Sequence, residues 1–202
     1  MKRMTVWAGP VLSSKSTKAL AYAKRLARRG IKVLLVRPAD SVRAHETAGV
    51  LKTRAGDEWP ANEIERASFL EAFVRDSRPD VLWIDEPMLF DDEPWVYDAV
   101  MRIRRTRTVL ISGCAATSEL EPFRSSLPRL IAVADYPKFC LADCDACGSI
   151  ATATRSVCLT GKDGQVLVGG EETYRPVCHA CWTKLVNDVS SVRFHTAGAS
   201  RS

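Results

Sequence analysis

Three groups of residues in this chain have types and spacings that can support chemistry, and the first lies near the N-terminus. Gly9 precedes Lys15-Ser16 at the spacing G-x-x-x-x-G-K-[ST], and Ser13 and Thr17 add further hydroxyl groups. In loops of this pattern, backbone N–H groups and a helix N-terminus surround phosphates, the lysine reaches the β- and γ-phosphates, and the hydroxyl binds Mg²⁺. The pattern predicts an ATP–Mg²⁺ site formed by Gly9, Ser13, Ser14, Lys15, Ser16 and Thr17.

One position of this loop departs from the pattern, because Ser14 stands where the second glycine is expected. Glycine is used there because it tolerates a positive φ and lets the backbone approach a ligand closely. If Ser14 is left-handed, we expect a strain of roughly 1–2 kcal/mol. An ordinary serine-capped turn between a strand and a helix is the alternative interpretation of the segment.

The second group is the acidic pair Asp85-Glu86, which directly follows an apolar segment at residues 81–84. In phosphate-loop enzymes a carboxylate at the end of a buried strand supports the Mg²⁺ ion, directly or through water. The neighbouring carboxylate can then accept a proton from a substrate hydroxyl as a general base. We therefore expect Asp85 to serve the cofactor and Glu86 to be catalytic, unless the pair merely marks the solvent end of the strand.

The third group is the most specific, because it consists of two C-x-x-C pairs. Cys144 and Cys147 form one pair and Cys178 and Cys181 the other, and four thiolates at this spacing match a closed tetrahedral Zn²⁺ site. The intervening residues contain glycine-rich segments that indicate a β-hairpin or an extended loop held at its base by the metal. Disulfides or a redox pair are the disfavoured alternatives, since we expect a reducing compartment. His179, inside the second pair, could replace a cysteine as ligand.

Composition places the chain among ordinary globular proteins. Apolar residues make up 46% and charged residues 26% of its 202 residues, so a sizeable core can form. No apolar run reaches the length of a membrane span and no secretory signal is visible, so we expect a cytoplasmic protein without a membrane partner. The net charge of +5 suits a nucleotide ligand but is a weak argument for nucleic-acid binding.

The elements that position these groups alternate between strands and helices. We predict strands at residues 5–7, 31–36, 81–84 and 108–111, and helices at residues 18–29, 62–76 and 95–105. A long polar connection is expected at residues 37–60, core positions at Ile64, Phe69 and Phe73, and a disordered tail at residues 190–202. This alternation predicts a parallel sheet covered on both faces, with ligands at the carboxyl ends of its strands.

Together these motifs resemble those of the type II thymidine kinases, the zinc-containing family. They occur in the family's order, and the last of them is the most specific. The matching segments are Gly9-Pro10-x-x-Ser13-x-Lys15-Ser16-Thr17, Arg37-Pro38-Ala39-Asp40-x-x-Arg43, Asp85-Glu86, Pro122-Phe123, C-x-x-C-G and Gly169-Gly170-x-x-x-Tyr174-x-x-Val177-Cys178-x-x-Cys181.

The resemblance implies an α/β fold with a P-loop-type parallel sheet and flanking helices in residues 1–140 and a small zinc-ribbon-like lid in residues 141–189. It implies transfer of the γ-phosphoryl group of ATP to the 5′-hydroxyl of thymidine or a 5-substituted deoxyuridine, with Glu86 as the base. Members of the family are usually tetramers, and a loop matching residues 168–174 closes over the nucleoside base. The implied substrate-binding residues are Leu89, Phe123, Thr154, Val168, Gly169, Gly170 and Tyr174.

Several residues depart from the family pattern, mostly by exchanging a large side chain for a smaller one. Leu89, Ser118 and Ala153 replace aromatic residues that match the nucleoside pocket, and Ala55 replaces an aspartate. A larger pocket suggests an acceptor bulkier than thymidine, such as a deoxyuridine with a larger 5-substituent. Two other functions stay open: a degenerate kinase that binds nucleotides as a regulator, and, least favoured, a zinc-ribbon protein that binds nucleic acid.

Overall fold

The centre of the molecule is a seven-stranded sheet, seen in a computed structural model that describes residues 2–41, 47–159 and 172–187. Its strands are β1 (Met4–Ala8), β2 (Val33–Pro38), β3 (Val50–Lys52), β4 (Glu58–Ile64), β5 (Val81–Asp85), β6 (Thr108–Gly113) and β7 (Tyr136–Phe139). They lie in the order β3-β4-β2-β5-β6-β1-β7, and every neighbouring pair is parallel except β3–β4. This arrangement confirms the predicted parallel sheet.

Helices cover both faces of this sheet because neighbouring residues of each strand point to opposite sides. Helix α1 (Lys15–Ala27) packs on one face, where Trp7, Leu35 and Trp83 are buried. The opposite face carries three helices, and strand residues such as Val6 are buried beneath them. These three helices are α2 (Leu70–Ser77), α3 (Pro94–Ile103) and α4 (Ser126–Ala132). Among the described residues, every helix is too short or too polar to cross a lipid bilayer.

A second, smaller unit carries the cysteine pairs. Strands β8 (Arg155–Cys158) and β9 (Tyr174–Val177) pair antiparallel, and helix α5 (His179–Asn187) follows. A small hydrophobic cluster of its own contains Ala142, Ala153 and Val177. We call residues 141–159 and 172–187 the cysteine module.

Two sequence-based expectations were wrong in the segment between β2 and β5. The predicted helix at residues 62–76 begins only at Leu70, because residues up to Ile64 belong to β4, which pairs with β2 in the register Leu35–Ala61. The predicted polar connection at residues 37–60 contains β3 and the first part of β4. Pairing in the sheet satisfies the backbone N–H and C=O groups of these strand residues, and this tertiary pairing overrides their local helix propensity.

The predicted core positions in this segment have different outcomes. Ile64 and Phe73 are half-buried against the main core, whereas Phe69 is exposed and its prediction was wrong. Phe69 closes a short 3-10 turn, Ala67–Phe69, that precedes α2, so it lies outside the apolar face of that helix. The predicted tail at residues 190–202 lies outside the described residues.

Candidate active site

The phosphate loop joins β1 to α1, and its first glycine is required by close packing. A Cβ atom at Gly9 would collide with the backbone carbonyl of Cys140, which cannot move aside as a flexible side chain can. Ser14 is the residue before α1, and its φ of 60° and ψ of 28° are left-handed. Ser14 therefore has the left-handed conformation that is expected to strain a residue with a Cβ atom.

Inside the loop, two side chains converge on one carbonyl oxygen. The Nζ atom of Lys15 donates to the carbonyl of Pro10 at 2.6 Å, and the hydroxyl of Ser13 donates to the same oxygen at 2.8 Å. Both side chains are buried. The ammonium group is thus held within the loop, where it also lines the adjoining cleft.

The acidic pair lies where β5 ends, next to the start of α1. The hydroxyl of Ser16 donates to Oδ1 of Asp85 at 2.9 Å, and the hydroxyl of Ser112 donates to the same atom. Burial raises the pKa of Asp85 above its ordinary value, and the hydrogen bonds from Ser112 and Ser16 and the charge of Lys15 offset only part of this effect. A hydroxyl and a carboxylate in contact at a phosphate loop are hard oxygen donors of the kind that Mg²⁺ prefers, so these residues fit that ion.

Glu86 follows Asp85 in a left-handed conformation, with φ of 52° and ψ of 48°. Its amide donates to the carbonyl of Ser112 at 2.7 Å, which fixes the turn after β5 against β6. A left-handed backbone at a residue with a side chain costs on the order of 1–3 kcal/mol and is concentrated at functional sites. The conformation lets the half-buried Glu86 side chain line the same cleft as Lys15.

This cleft has a volume of about 160 Å³ and brings the first two groups of residues together. Its walls combine basic and acidic side chains, and the basic ones come from three different segments. Arg37 is buried, with Nη2 at 2.9 Å from Oε1 of Glu63. The predicted cofactor-binding and catalytic residues that line the cleft are Ser14, Lys15, Ser16, Thr17, Asp85 and Glu86.

Nine further wall residues were not predicted as site residues, and Arg37, Thr53, Arg54 and Cys114 are among them. Two of them could have been predicted from their positions, because ligands bind at the carboxyl ends of parallel strands. Arg37 lies near the carboxyl end of β2, and Cys114 directly follows β6. Burial raises the pKa of the Cys114 thiol, and the charge of Lys15 opposes this effect. Thr53 and Arg54 follow β3, a strand that the sequence reasoning had missed.

The four cysteines of the cysteine module meet in one cluster. Their Sγ atoms all lie within 4.8 Å of one another, and those of Cys147 and Cys178 are 4.0 Å apart. Zn–S bonds of about 2.3 Å in a tetrahedron require sulfur–sulfur distances near 3.8 Å, so the cluster fits zinc. Hydrogen bonds from Ser149 lower the pKa of Cys147 to about 6, whereas burial raises the pKa of Cys181 to about 12. His179 is outside the cluster and stacks on Trp182.

The residues predicted to bind the nucleoside are spread around other parts of the molecule. Leu89 and Phe123 are half-buried against the main core, and Tyr174 is half-buried at the start of β9. Thr154 is exposed and lines a second cavity of about 280 Å³, between the phosphate loop and the cysteine module. Val168, Gly169 and Gly170 lie outside the described residues.

Comparisons with known proteins identify the family of this chain. The family model for thymidine kinase matches residues 2–182, nearly the whole chain. Over 181 residues the chain is 31% identical to a thymidine kinase of Mycoplasma genitalium, an overlap that covers 87% of this chain and 82% of that protein. The phosphate loop, the acidic pair and the four-cysteine cluster thus occur within a matched sequence, and the chain belongs to the thymidine kinase family.

Proposed function

We propose that this protein is an active kinase that transfers the γ-phosphoryl group of ATP to the 5′-hydroxyl of a pyrimidine deoxynucleoside. The observation that carries this proposal is the hydrogen bond between Ser16 and Asp85. It joins the phosphate loop to the acidic pair in one cleft, where Lys15 and Glu86 also lie. A site for phosphoryl transfer needs this combination of phosphate binding, charge neutralisation and a base.

In this proposal the backbone amides that lead to Lys15 hold the ATP phosphates, and the Lys15 ammonium reaches the β- and γ-phosphates. Ser16 and Asp85 hold Mg²⁺, which neutralises the charge of the phosphate oxygens when it is bound. Arg37, Lys52 and Arg54 also line the walls of the cleft, and Arg37 and Lys52 are each paired with a carboxylate, that of Glu63 and Glu58 respectively.

Glu86 is the proposed general base. Its carboxylate accepts the proton of the 5′-hydroxyl while the 5′-oxygen forms a bond to the γ-phosphorus and the bond to the β,γ-bridging oxygen breaks. ADP and the nucleoside monophosphate are the products. General-base catalysis of this kind contributes roughly 10²–10⁴ to the rate.

The cysteine module is proposed to carry the lid over the acceptor. We propose residues 1–140 as the nucleotide-binding domain and residues 141–189 as the zinc-bearing lid domain, with Leu89, Phe123, Thr154 and residues 168–174 in contact with the nucleoside. Closure over the acceptor would exclude water and so limit hydrolysis of ATP. Assembly as a tetramer is part of the same proposal, by resemblance to the family.

The preferred acceptor is proposed to be a deoxyuridine with a 5-substituent larger than methyl. Three positions that match the family's pocket hold Leu89, Ser118 and Ala153, all without an aromatic ring. Comparing kcat/KM for thymidine with kcat/KM for 5-substituted deoxyuridines tests this idea. A clear preference for thymidine contradicts it.

The transfer itself is tested by a coupled assay of ADP release with a panel of deoxynucleosides, using zinc-loaded protein. Glu86→Gln is expected to lower kcat by roughly 10²–10⁴ while leaving the affinity for ATP–Mg²⁺ within a few fold. If the wild-type protein binds ATP–Mg²⁺ but phosphorylates no deoxynucleoside, the protein is a nucleotide-binding homologue and not a kinase. If it shows no affinity for ATP–Mg²⁺, both functions are excluded.

A further inference from the structure

A chain of three buried side chains runs from the core of the sheet to the candidate active site. Trp83 lies in β5, and Ser112 lies opposite Asp85 in the neighbouring strand β6. The indole Nε1 of Trp83 donates to the hydroxyl oxygen of Ser112 at 2.8 Å, and that hydroxyl donates to Oδ1 of Asp85. Trp83 and Ser112 have no exposed surface, and Asp85 is 5% exposed.

The chemistry of the three groups gives this chain a fixed direction. The indole N–H can only donate a hydrogen bond, so the Ser112 oxygen must act as the acceptor from Trp83. The carboxylate form of Asp85, which is the form that binds a cation, can only accept, so in that form the Ser112 hydrogen points to Asp85. A serine hydroxyl normally rotates to suit its surroundings, but here both of its roles are assigned by its neighbours.

The chain also fixes the orientation of the Asp85 carboxylate. Oδ1 receives hydroxyl hydrogen bonds from Ser112 on β6 and from Ser16 on α1. Two donors on different elements hold one oxygen in place, and the carboxyl plane is held with it. Ligands that are oriented in this way by surrounding hydrogen bonds bind metal ions more tightly than freely rotating ones.

We propose that Trp83 and Ser112 are positioning residues that orient Asp85 toward the divalent cation of the bound nucleotide complex. The inference rests on the proposed function, in which Asp85 serves that cation. It adds that the affinity for the cation depends on a tryptophan that is buried in the core and has no contact with the ligand. Trp83 acts through Ser112, and neither residue takes part in the chemical step.

The experiment measures Mn²⁺ affinity by electron paramagnetic resonance, using the full chain with a non-hydrolysable ATP analogue. Ser112→Ala is expected to weaken Mn²⁺ affinity by roughly 10-fold or more, as loss of an outer-sphere partner does. Trp83→Phe, which removes the N–H and keeps a ring, should weaken it by several fold. The double variant should equal Ser112→Ala, because without the hydroxyl Trp83 has no route to Asp85.

Trp59→Phe is the control, since Trp59 packs against the same hydrophobic cluster as Trp83 but lies in β4, two strands away from β5. It should keep wild-type Mn²⁺ affinity. Should Ser112→Ala fail to fold, Trp83→Phe against Trp59→Phe still tests the chain. Equal Mn²⁺ affinity in Trp83→Phe and wild type, or additive effects in the double variant, overturns this inference and leaves the proposed function unaffected. A wild-type protein that binds no Mn²⁺–nucleotide complex overturns the proposed function as well.

Discussion

The amide of Val11 in the phosphate loop donates a hydrogen bond to the hydroxyl of Ser156 at 3.0 Å, across 145 positions of the chain. Ser156 lies in β8 of the cysteine module and is buried. The next loop residue, Leu12, packs against the hydrophobic cluster of that module. The cysteine module therefore helps to hold the phosphate loop in its shape.

Ser156→Ala should weaken nucleotide binding because the Val11 amide loses its acceptor. A net contribution of about 1 kcal/mol for this hydrogen bond corresponds to about a fivefold rise in the dissociation constant for ATP–Mg²⁺. Isothermal titration calorimetry measures the change. Thr152→Ala is a suitable control, since Thr152 is exposed in the same module and its hydroxyl donates to the Ser149 carbonyl. Equal affinities for all three proteins would show that the contact is dispensable.

Removal of zinc from the cysteine cluster should disturb the phosphate loop indirectly, through the cysteine module. A structural zinc site contributes on the order of 10 kcal/mol to the folding of the segment that it holds. We expect chelation, or Cys147→Ser, to unfold the cysteine module and raise the dissociation constant for ATP–Mg²⁺ by more than Ser156→Ala does. Hydrogen exchange of the Val11 amide reports on the loop directly. Unchanged exchange in metal-free protein would contradict the coupling.

Ser14→Gly should stabilise the protein, because glycine accepts the left-handed conformation that serine adopts with strain. Relief of roughly 1–2 kcal/mol of backbone strain is partly offset by the greater freedom of glycine in the unfolded chain. The free energy of unfolding should therefore rise by roughly 0.5–1 kcal/mol. Urea unfolding measures it. Ser14→Ala keeps the Cβ atom and should show no gain, so equal stability of the two variants would argue against strain at this position.

Gly9→Ala should damage the phosphate loop, because the new Cβ atom meets the fixed carbonyl of Cys140. Overpacking against backbone costs on the order of 1–3 kcal/mol. We expect a lower melting temperature and a weaker affinity for ATP–Mg²⁺. Gly113→Ala is the comparison, since its Cβ atom would meet side-chain atoms of Leu127 and Met88, which can shift. A milder effect at Gly9 than at Gly113 would contradict this explanation.

Asp92 should make stability depend on pH in the acid range. Burial raises the pKa of Asp92, but hydrogen bonds from Ser68 and the Ala67 amide outweigh it and hold the pKa below the ordinary value of 3.8. The stabilisation is therefore complete above pH 3.8 and is lost as the pH falls through the lower folded-state pKa. Asp92→Ala should cost about 1 kcal/mol at pH 7 and less below about pH 4.

Urea unfolding at pH 7 and pH 3 measures this difference. Asp91→Ala, at the exposed neighbouring position, supplies the control and should change stability little at either pH. A loss in Asp92→Ala that is the same at both pH values would mean that the carboxylate charge is not its source.

Much of the site could be predicted because its chemistry is written in short, contiguous motifs. Gly9, Lys15 and Ser16 are separated by fixed spacings, and the acidic pair directly follows a strand with a clear apolar signal. The spacing of the four cysteines alone predicted that their Sγ atoms meet in one cluster. Local patterns of this kind can be recognised without knowledge of the tertiary structure.

The missed features depend on contacts between distant segments. Strand β4 is held by pairing with β2, so residues 62–64 became strand despite their helical pattern. The Trp83–Ser112–Asp85 chain exists only because β5 and β6 are neighbours in register. Phe69 was assigned to the core from its periodicity, but the helix that would have buried it starts one residue later. Sequence spacing cannot specify which strands become neighbours.

The hydrogen bond from Lys15 to the Pro10 carbonyl means that a bound anion competes with this carbonyl for the lysine ammonium group. An arriving anion has to displace a neutral carbonyl dipole, so its advantage grows with the charge that it brings. A weak monoanion replaces that contact with little net gain, whereas a polyphosphate brings enough negative charge to outweigh it. The loop can therefore discriminate among cellular anions by charge density before any part of the molecule recognises a base or a sugar.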